Sequence, residues 1–146
     1  MTLIEVIRAM EAAASEQPAV NMIIESDVFR LNSCSDAKYG VFAFVEGQHS
    51  GDVNSDFVKY QFSLFYVDRL TAKGDNLLDI HSTGVMTIDN IIRRLADYGV
   101  AADTYTITPF SQRFLDECAG VYATVTFDVL AAPCGEAFET RDIKII

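Results

Sequence analysis

The chain has 146 residues, half of them hydrophobic and 22% charged, a balance that fits one globular domain and excludes an intrinsically disordered chain. Asp plus Glu number 21 against 11 Lys plus Arg, for a formal net charge of −10. That acidity argues against coating nucleic acid or docking on an anionic membrane, both of which need clustered cations.

The opening Met1-Thr2-Leu3-Ile4-Glu5 lacks the basic region of a secretory leader. An amphipathic helix is predicted over residues 2–15. Thr2 with Glu5 forms a capping box, Leu3, Ile4, Ile7 and Met10 share a face, and Gln17-Pro18 ends the helix. Short apolar stretches at residues 20–24 and 28–31 predict one or two strands, and residues 33–40 a polar loop. Val41–Glu46 reads as a strand with Val41, Ala43 and Val45 on one side and Phe42 and Phe44 on the other. Residues 47–56, GQHSGDVNSD, read as a long polar loop.

Residues 57–70 carry the longest strand pattern, with Val58, Tyr60, Phe62, Leu64 and Tyr66 on one face. A turn at 71–75 leads to a second helix over about residues 81–98. Its stripe is Val85, Ile88, Ile91, Ile92 and Leu95, with Arg93 and Arg94 suited to the C-terminal half and Gly99 as the stop. Tyr105 and Ile107 predict a short strand ending at Pro109. Residues 121–130 predict a last long strand with Val121, Ala123, Val125, Phe127 and Val129 inward. Residues 132–146 form a C-terminal tail. No apolar run approaches the ~18 residues of a membrane span. The expectation is a single α+β domain over residues 1–146, with a mostly antiparallel sheet of four to six strands and two helices on one face. One parallel pairing is left open, between the long strand and residues 103–108.

Chemical motifs are sparse. Cys34, Cys118 and Cys134 form no C-x-x-C pair and read as unpaired thiols in a reducing compartment. The run Asp52-Val53-Asn54-Ser55-Asp56 starts like a calcium loop, but Phe57 stands where glycine is needed and Ser63 where the twelfth-position glutamate is needed. Glu46, His49 and Asp52 could converge on a metal only if the loop folded back. No phosphate-binding glycine loop and no nucleophile elbow is present. The residues therefore point to no catalytic group, no cofactor and no metal.

Two stretches carry a resemblance. Within residues 57–95 it is YQFSLFYVDRLTAKGDNLLDIHSTGVMTIDNIIRRL, and over residues 108–129 it is TPFSQRFLDECAGVYATVTFDV. The strand end YVDRL, the polar turn carrying Asn76, the STGV element placed at the start of the helix, and the run from Pro109 through DECAG into the last strand are similar to small neck and tail-completion proteins. These are the tail-terminator-like, head–tail joining proteins of tailed phages and prophages of gut Bacteroidetes. The resemblance implies a virion structural protein, not an enzyme. It implies assembly in the host bacterial cytoplasm, residence in the virion, and a self-assembled ring, typically hexameric. The implied neighbours are tail-tube and neck or head-completion proteins, with no stable nucleic-acid binding and no membrane. The 47–56 loop and the 132–146 tail are then candidates to reach a neighbouring subunit. Scarce charge marks Asp68, Arg69, Arg93, Arg94 and Arg113 as candidate subunit-interface residues; for each, the competing reading is an ordinary surface ion pair. The rival functional reading is a small acidic α+β binding module without catalytic activity. A third, an enzyme, would have to use Glu46, His49 and Asp52.

Overall fold

The computed structural model describes residues 1–25, 39–111 and 118–131, and in it the capping box at the start of the chain forms as read. Thr2 Oγ1 accepts the Glu5 N–H at 3.3 Å and Glu5 Oε2 accepts the Thr2 N–H at 2.7 Å, which satisfies amides that a helix start leaves unpaired. Helix α1 spans Leu3–Ser15 and buries Val6, Met10, Ala13 and Ala14. The buried face is turned relative to the expected one: Ile4 is exposed.

Seven strands among the described residues make one sheet: β1 (Met22–Glu25), β2 (Val41–Glu46), β3 (Ser50–Gly51), β4 (Phe57–Arg69), β5 (Ala101–Ala102), β6 (Thr106–Ser111) and β7 (Cys118–Leu130). The order is β1-β2-β4-β7-β5, with β3 against β4 and β6 against β7. This is the expected α+β class, although four to six strands were expected; the surplus comes from the two-residue strands β3 and β5. The expected strand at residues 28–31 and most of the loop at 33–40 lie outside the described residues.

The backbone of the sheet is the pair β4 and β7, antiparallel and in register from Phe57 opposite Leu130 to Arg69 opposite Cys118. Helix α2 (Leu77–Ala96) carries the chain back along the sheet, so β6 runs in the same sense as β4. β7 then returns between the two and pairs antiparallel with both. The parallel pairing entertained for residues 103–108 is thereby replaced, and among the described residues the parallel pair is β1 with β2. β6 continues past Pro109 to Ser111. Among the described residues it pairs with β7 alone, an edge position of the kind in which a strand proline is tolerated.

Both helices lie on one face. Alternate residues of the sheet, Phe42 and Phe44, Phe62 and Leu64, and Val121 to Val129, meet α1 and α2 in one buried cluster that includes Ile88, Ile91 and Leu95. A smaller cluster, Ile24, Val41, Ala43, Val67 and Cys118, occupies the opposite face.

α2 begins four residues earlier than its periodicity suggests. Asn76 precedes it without bonding the helix's own amides. Its side chain instead braces the turn, accepting the Thr71 N–H at 2.9 Å and donating to the Arg69 carbonyl at 3.1 Å. Val85, expected in the apolar stripe, points outward; Gly84 takes the sheet-facing position beside it.

Tyr66 is the pivot of this packing. It is one of the largest fully buried side chains, and three glycines leave room for it. A Cβ on Gly40 would lie 2.6 Å from the Tyr66 hydroxyl, one on Gly84 3.0 Å from Cδ1, and one on Gly120 1.8 Å from the Tyr66 carbonyl oxygen. The hydroxyl donates to Asp68 Oδ2 at 3.3 Å. Burial and the Asp68 charge push its pKa far above the tyrosine range, so it stays protonated and keeps that bond.

Candidate functional site

The loop at 47–56 does fold back, contrary to the expected long excursion. Gly47 N–H donates to the Gln61 carbonyl at 2.7 Å, and Ser50 and Gly51 pair with Lys59 and Val58. The turn proper is residues 52–56, fixed by Asp52 Oδ1 accepting the Asn54 N–H at 2.9 Å and by the Asp52 carbonyl accepting the Ser55 N–H at 3.0 Å. These are the bonds of an aspartate-initiated turn.

Folding back brings two of the three loop candidates together. His49 Nε2 lies 2.9 Å from Glu46 Oε1, and His49 Nδ1 accepts the Gln61 N–H at 3.3 Å. That pattern suits the neutral ring with its proton on Nε2. The imidazole stands edge-on to Tyr60 at 5.3 Å and tilted to Phe62 at 5.7 Å. Asp52 does not join them, because its carboxylate is occupied in the turn. His49 therefore acts as a stopper over the aromatic end of the sheet. Among the described residues no cluster of three or more His, Cys, Asp or Glu side chains is placed to hold a metal. Cys118 is buried with its Sγ 3.4 Å from the Tyr39 hydroxyl; Cys34 and Cys134 lie outside the described residues.

The five interface candidates separate into groups. Arg94 is claimed by its own chain: it bonds Glu16 at 2.8 Å and Asp97 at 2.8 Å and lies over the Tyr98 ring at 5.1 Å. This ties the end of α1 to the end of α2, and the Arg94 bond holds Glu16 below the usual carboxylate range. Arg93 pairs with Asp89 at 2.8 Å, and the same carboxylate accepts the Tyr105 hydroxyl. The tyrosine bond, then Arg93, lowers the Asp89 pKa. Arg69 caps the far end of β4 and lies 5.8 Å from the Tyr39 ring centre. Asp68 beside it accepts the Arg69 N–H and the Tyr66 hydroxyl. Arg113 lies outside the described residues.

Two open hollows meet at Tyr105, just before β6. One, of about 380 Å³, is lined by Thr104, Tyr105, Thr106, Thr108, Tyr122 and Thr124, a wall of hydroxyls. The other, about 350 Å³, lies between α2 and β5 and contains Arg93, Asp103 and Tyr105.

Two apolar surfaces were missed at the sequence level. One end of the sheet exposes Val53, Phe57 and Leu130, and the outer face of α2 exposes Leu78, Val85 and Met86. The signal was available in the helix: with its start at Leu77, these three residues fall opposite the buried run of Ile80, Gly84, Ile88 and Ile91. No helix among the described residues is long and apolar enough to cross a membrane. No protein-family model matches the chain, and no curated protein matches it either.

Proposed function

We propose that the chain is a structural protein of the neck or tail end of a tailed phage or prophage, assembling head-to-tail into a ring that completes the tail and joins it to the head. The observation carrying this reading is that the elements behind the resemblance converge on one packed unit. Tyr66 and Asp68 come from YVDRL, Asn76 braces the turn after it, Gly84 comes from STGV, and Gly120 and Val121 follow DECA. Gly84 and Gly120 both close on Tyr66. The similar text is therefore the packing code of a sheet, a turn and a covering helix, which is a sounder basis for likeness than scattered identities.

The sheet supports the mode of assembly. Its order places β1 at one end and β5 with β6 at the other, so the two ends differ in shape and composition. Cyclic rings use two different surfaces of this kind, one on each side of every subunit.

Sedimentation velocity and negative-stain microscopy test the proposal. The net charge of −10 opposes association at low ionic strength, so the protein is examined concentrated and in about 1 M salt, where the Debye length falls to about 3 Å. Rings of uniform diameter are expected. A species that stays at the 16.1 kDa monomer throughout would refute the reading.

A further inference from the structure

The pairing of β4 with β2 and β3 is interrupted at one place, and a histidine side chain bridges the gap. Glu46 stands opposite Phe62, and Ser50 opposite Lys59. Between them three residues, Gly47, Gln48 and His49, face two, Tyr60 and Gln61, which is the count of a bulge. The Gln61 carbonyl accepts the Gly47 N–H at 2.7 Å. The Gln61 N–H donates to the His49 ring, at Nδ1 3.3 Å away. The Gln61 side chain also closes the bulge, its Oε1 accepting the Gln48 N–H at 3.2 Å.

The two nitrogens of His49 respond differently to a proton. Nδ1 accepts the Gln61 N–H only while it carries no proton of its own. Nε2, 2.9 Å from Glu46 Oε1, donates to that carboxylate in the neutral and the charged ring alike. Protonation therefore sets a ring N–H against the Gln61 N–H, while the Glu46 bond survives and becomes charge-assisted. Histidine is the side chain whose charge ordinarily changes between about pH 5 and 8. From β4 the ring also meets Tyr60 at 5.3 Å and Phe62 at 5.7 Å. The Tyr60 hydroxyl donates to the Met1 carbonyl at 3.3 Å, and the N-terminal ammonium beside it is held on the Leu130 carbonyl at 2.8 Å. Glu46 is thus the charged group bonded to the ring, and it favours the imidazolium. His81, the chain's other histidine, bonds the Phe110 carbonyl through Nε2 at 3.1 Å. That nitrogen donates in either charge state, so His81 carries no such conflict.

We propose that His49 is a proton-operated latch on the segment that joins β2 to β4. Unprotonated, the ring fixes residues 47–51 against β4; protonated, it turns to Glu46, and β3 and the turn after it come away. β3 contributes only two exposed residues, so the bulge bonds carry much of its attachment. The Gln61 N–H is then left to water, which the exposure of this end permits at modest cost. Nothing in the latch depends on the ring reading above, and it operates in a single copy of the chain.

The test is amide hydrogen exchange read by NMR on the full chain, corrected for intrinsic rates, from about pH 7.5 down to 5. Protection at Gln61 and across β3 should fall roughly tenfold or more on acidification, while amides along β7 keep theirs. His49→Asn retains an acceptor oxygen near the Nδ1 position and cannot titrate, so its Gln61 protection should stay level. Glu46→Gln removes the charge that holds the protonated ring and should move the fall to lower pH. The nitrogen-15 shifts of the wild-type ring read the tautomer with no substitution at all, and the proton is expected on Nε2 at neutral pH. A ring protonated on Nδ1 there, or wild-type protection that does not change with pH, overturns the latch. An equal fall in His49→Asn overturns it too, by assigning the change to another group. A fall that stays at the wild-type pH in Glu46→Gln overturns the handover to Glu46.

Discussion

Gly84→Ala sets two opposed effects against each other at a position where the structure decides the winner. In an exposed helix the change would stabilise by about 1 kcal/mol, because glycine is the costlier residue to order. Here a Cβ would stand 2.8 Å from Val121 Cγ2, 3.0 Å from Tyr66 Cδ1 and 3.3 Å from Val121 Cγ1. Neither neighbour can yield cheaply. Val121 is β-branched and fully buried, and the Tyr66 ring is 1% exposed, hemmed by Gly40 and tied to Asp68. Overpacking of this kind costs about 1–3 kcal/mol, which cancels that gain and leaves a net loss of up to about 2 kcal/mol. Val121→Ala alone should cost about 2 kcal/mol from lost methyl burial and the cavity left behind. In that background two of the three close contacts are gone, and Gly84→Ala should become neutral or stabilising, a coupling of about 1–3 kcal/mol. Urea unfolding followed by far-ultraviolet circular dichroism measures all four corners of the cycle. A Gly84→Ala protein with a raised midpoint, or strictly additive variants, would show that the helix does not approach the sheet as closely as described.

Phe127→Ala should cost about 3–5 kcal/mol, since its ring is fully buried and packs 6.3 Å from Phe62; an unchanged melting temperature would show that the strand face is inverted. Stability should fall as pH drops from about 6 to 3, because Glu5, Glu16 and Asp89 have lowered pKa values. A depressed folded pKa contributes stability above the unfolded carboxylate range and loses it as pH falls through the folded value. Glu11, raised first by burial and then by Glu25, works in the opposite sense as one group against three. Tyr105→Phe removes the largest cause of the Asp89 shift and should flatten the acid limb of the urea-midpoint profile; an unchanged limb would count against the Asp89–Tyr105 bond. Light scattering across a salt series should show association rising as salt screens the net charge of −10, and a gel shift should show no retention of duplex DNA at any salt.

The elements that sequence reasoning placed well are those whose local signals agree with their tertiary role. Thr2 and Glu5 cap a helix by bonds made within one turn, and β4 and β7 alternate cleanly because one face is buried along most of their length. The misplacements share a different cause. Asn76 spends its amide on Arg69 and Thr71, so the start of α2 carries no ordinary cap pattern. Val85 was placed inside because hydrophobic periodicity gives no weight to a glycine, yet Gly84 is the residue the sheet touches. β3 is exposed on both faces and only two residues long, so its polarity reads as loop although its backbone is paired. At the interface candidates, the Asp89 and Asp97 partners of Arg93 and Arg94 are visible as neighbours on a helix. Glu16, 78 positions from Arg94, is visible only once α1 and α2 are packed together.

That packing explains how charge is distributed. The described cations do not lie evenly among the acids. Arg94 joins α1 to α2, Lys59 crosses from β4 to β7, and Arg93 helps hold the carboxylate that Tyr105 reaches from the strand side. Each such exposed pair contributes little free energy by itself, but together they consume most of the positive charge in tertiary contacts and leave acid in excess over the rest of the surface. On the proposed reading, six subunits would carry about −60 at neutral pH, and self-repulsion of that size opposes closure. A ring could then close only if its acids faced solvent or lumen and its remaining cations stood at the seams. Among the described residues Arg69 and Lys73 make no ion pair, whereas Arg93 and Arg94 are paired with acids of their own chain. An acidic lumen would also repel phosphates, so a genome passing through would meet no adhesive wall. The same imbalance that argues against a nucleic-acid coat is thus compatible with a protein through which nucleic acid travels.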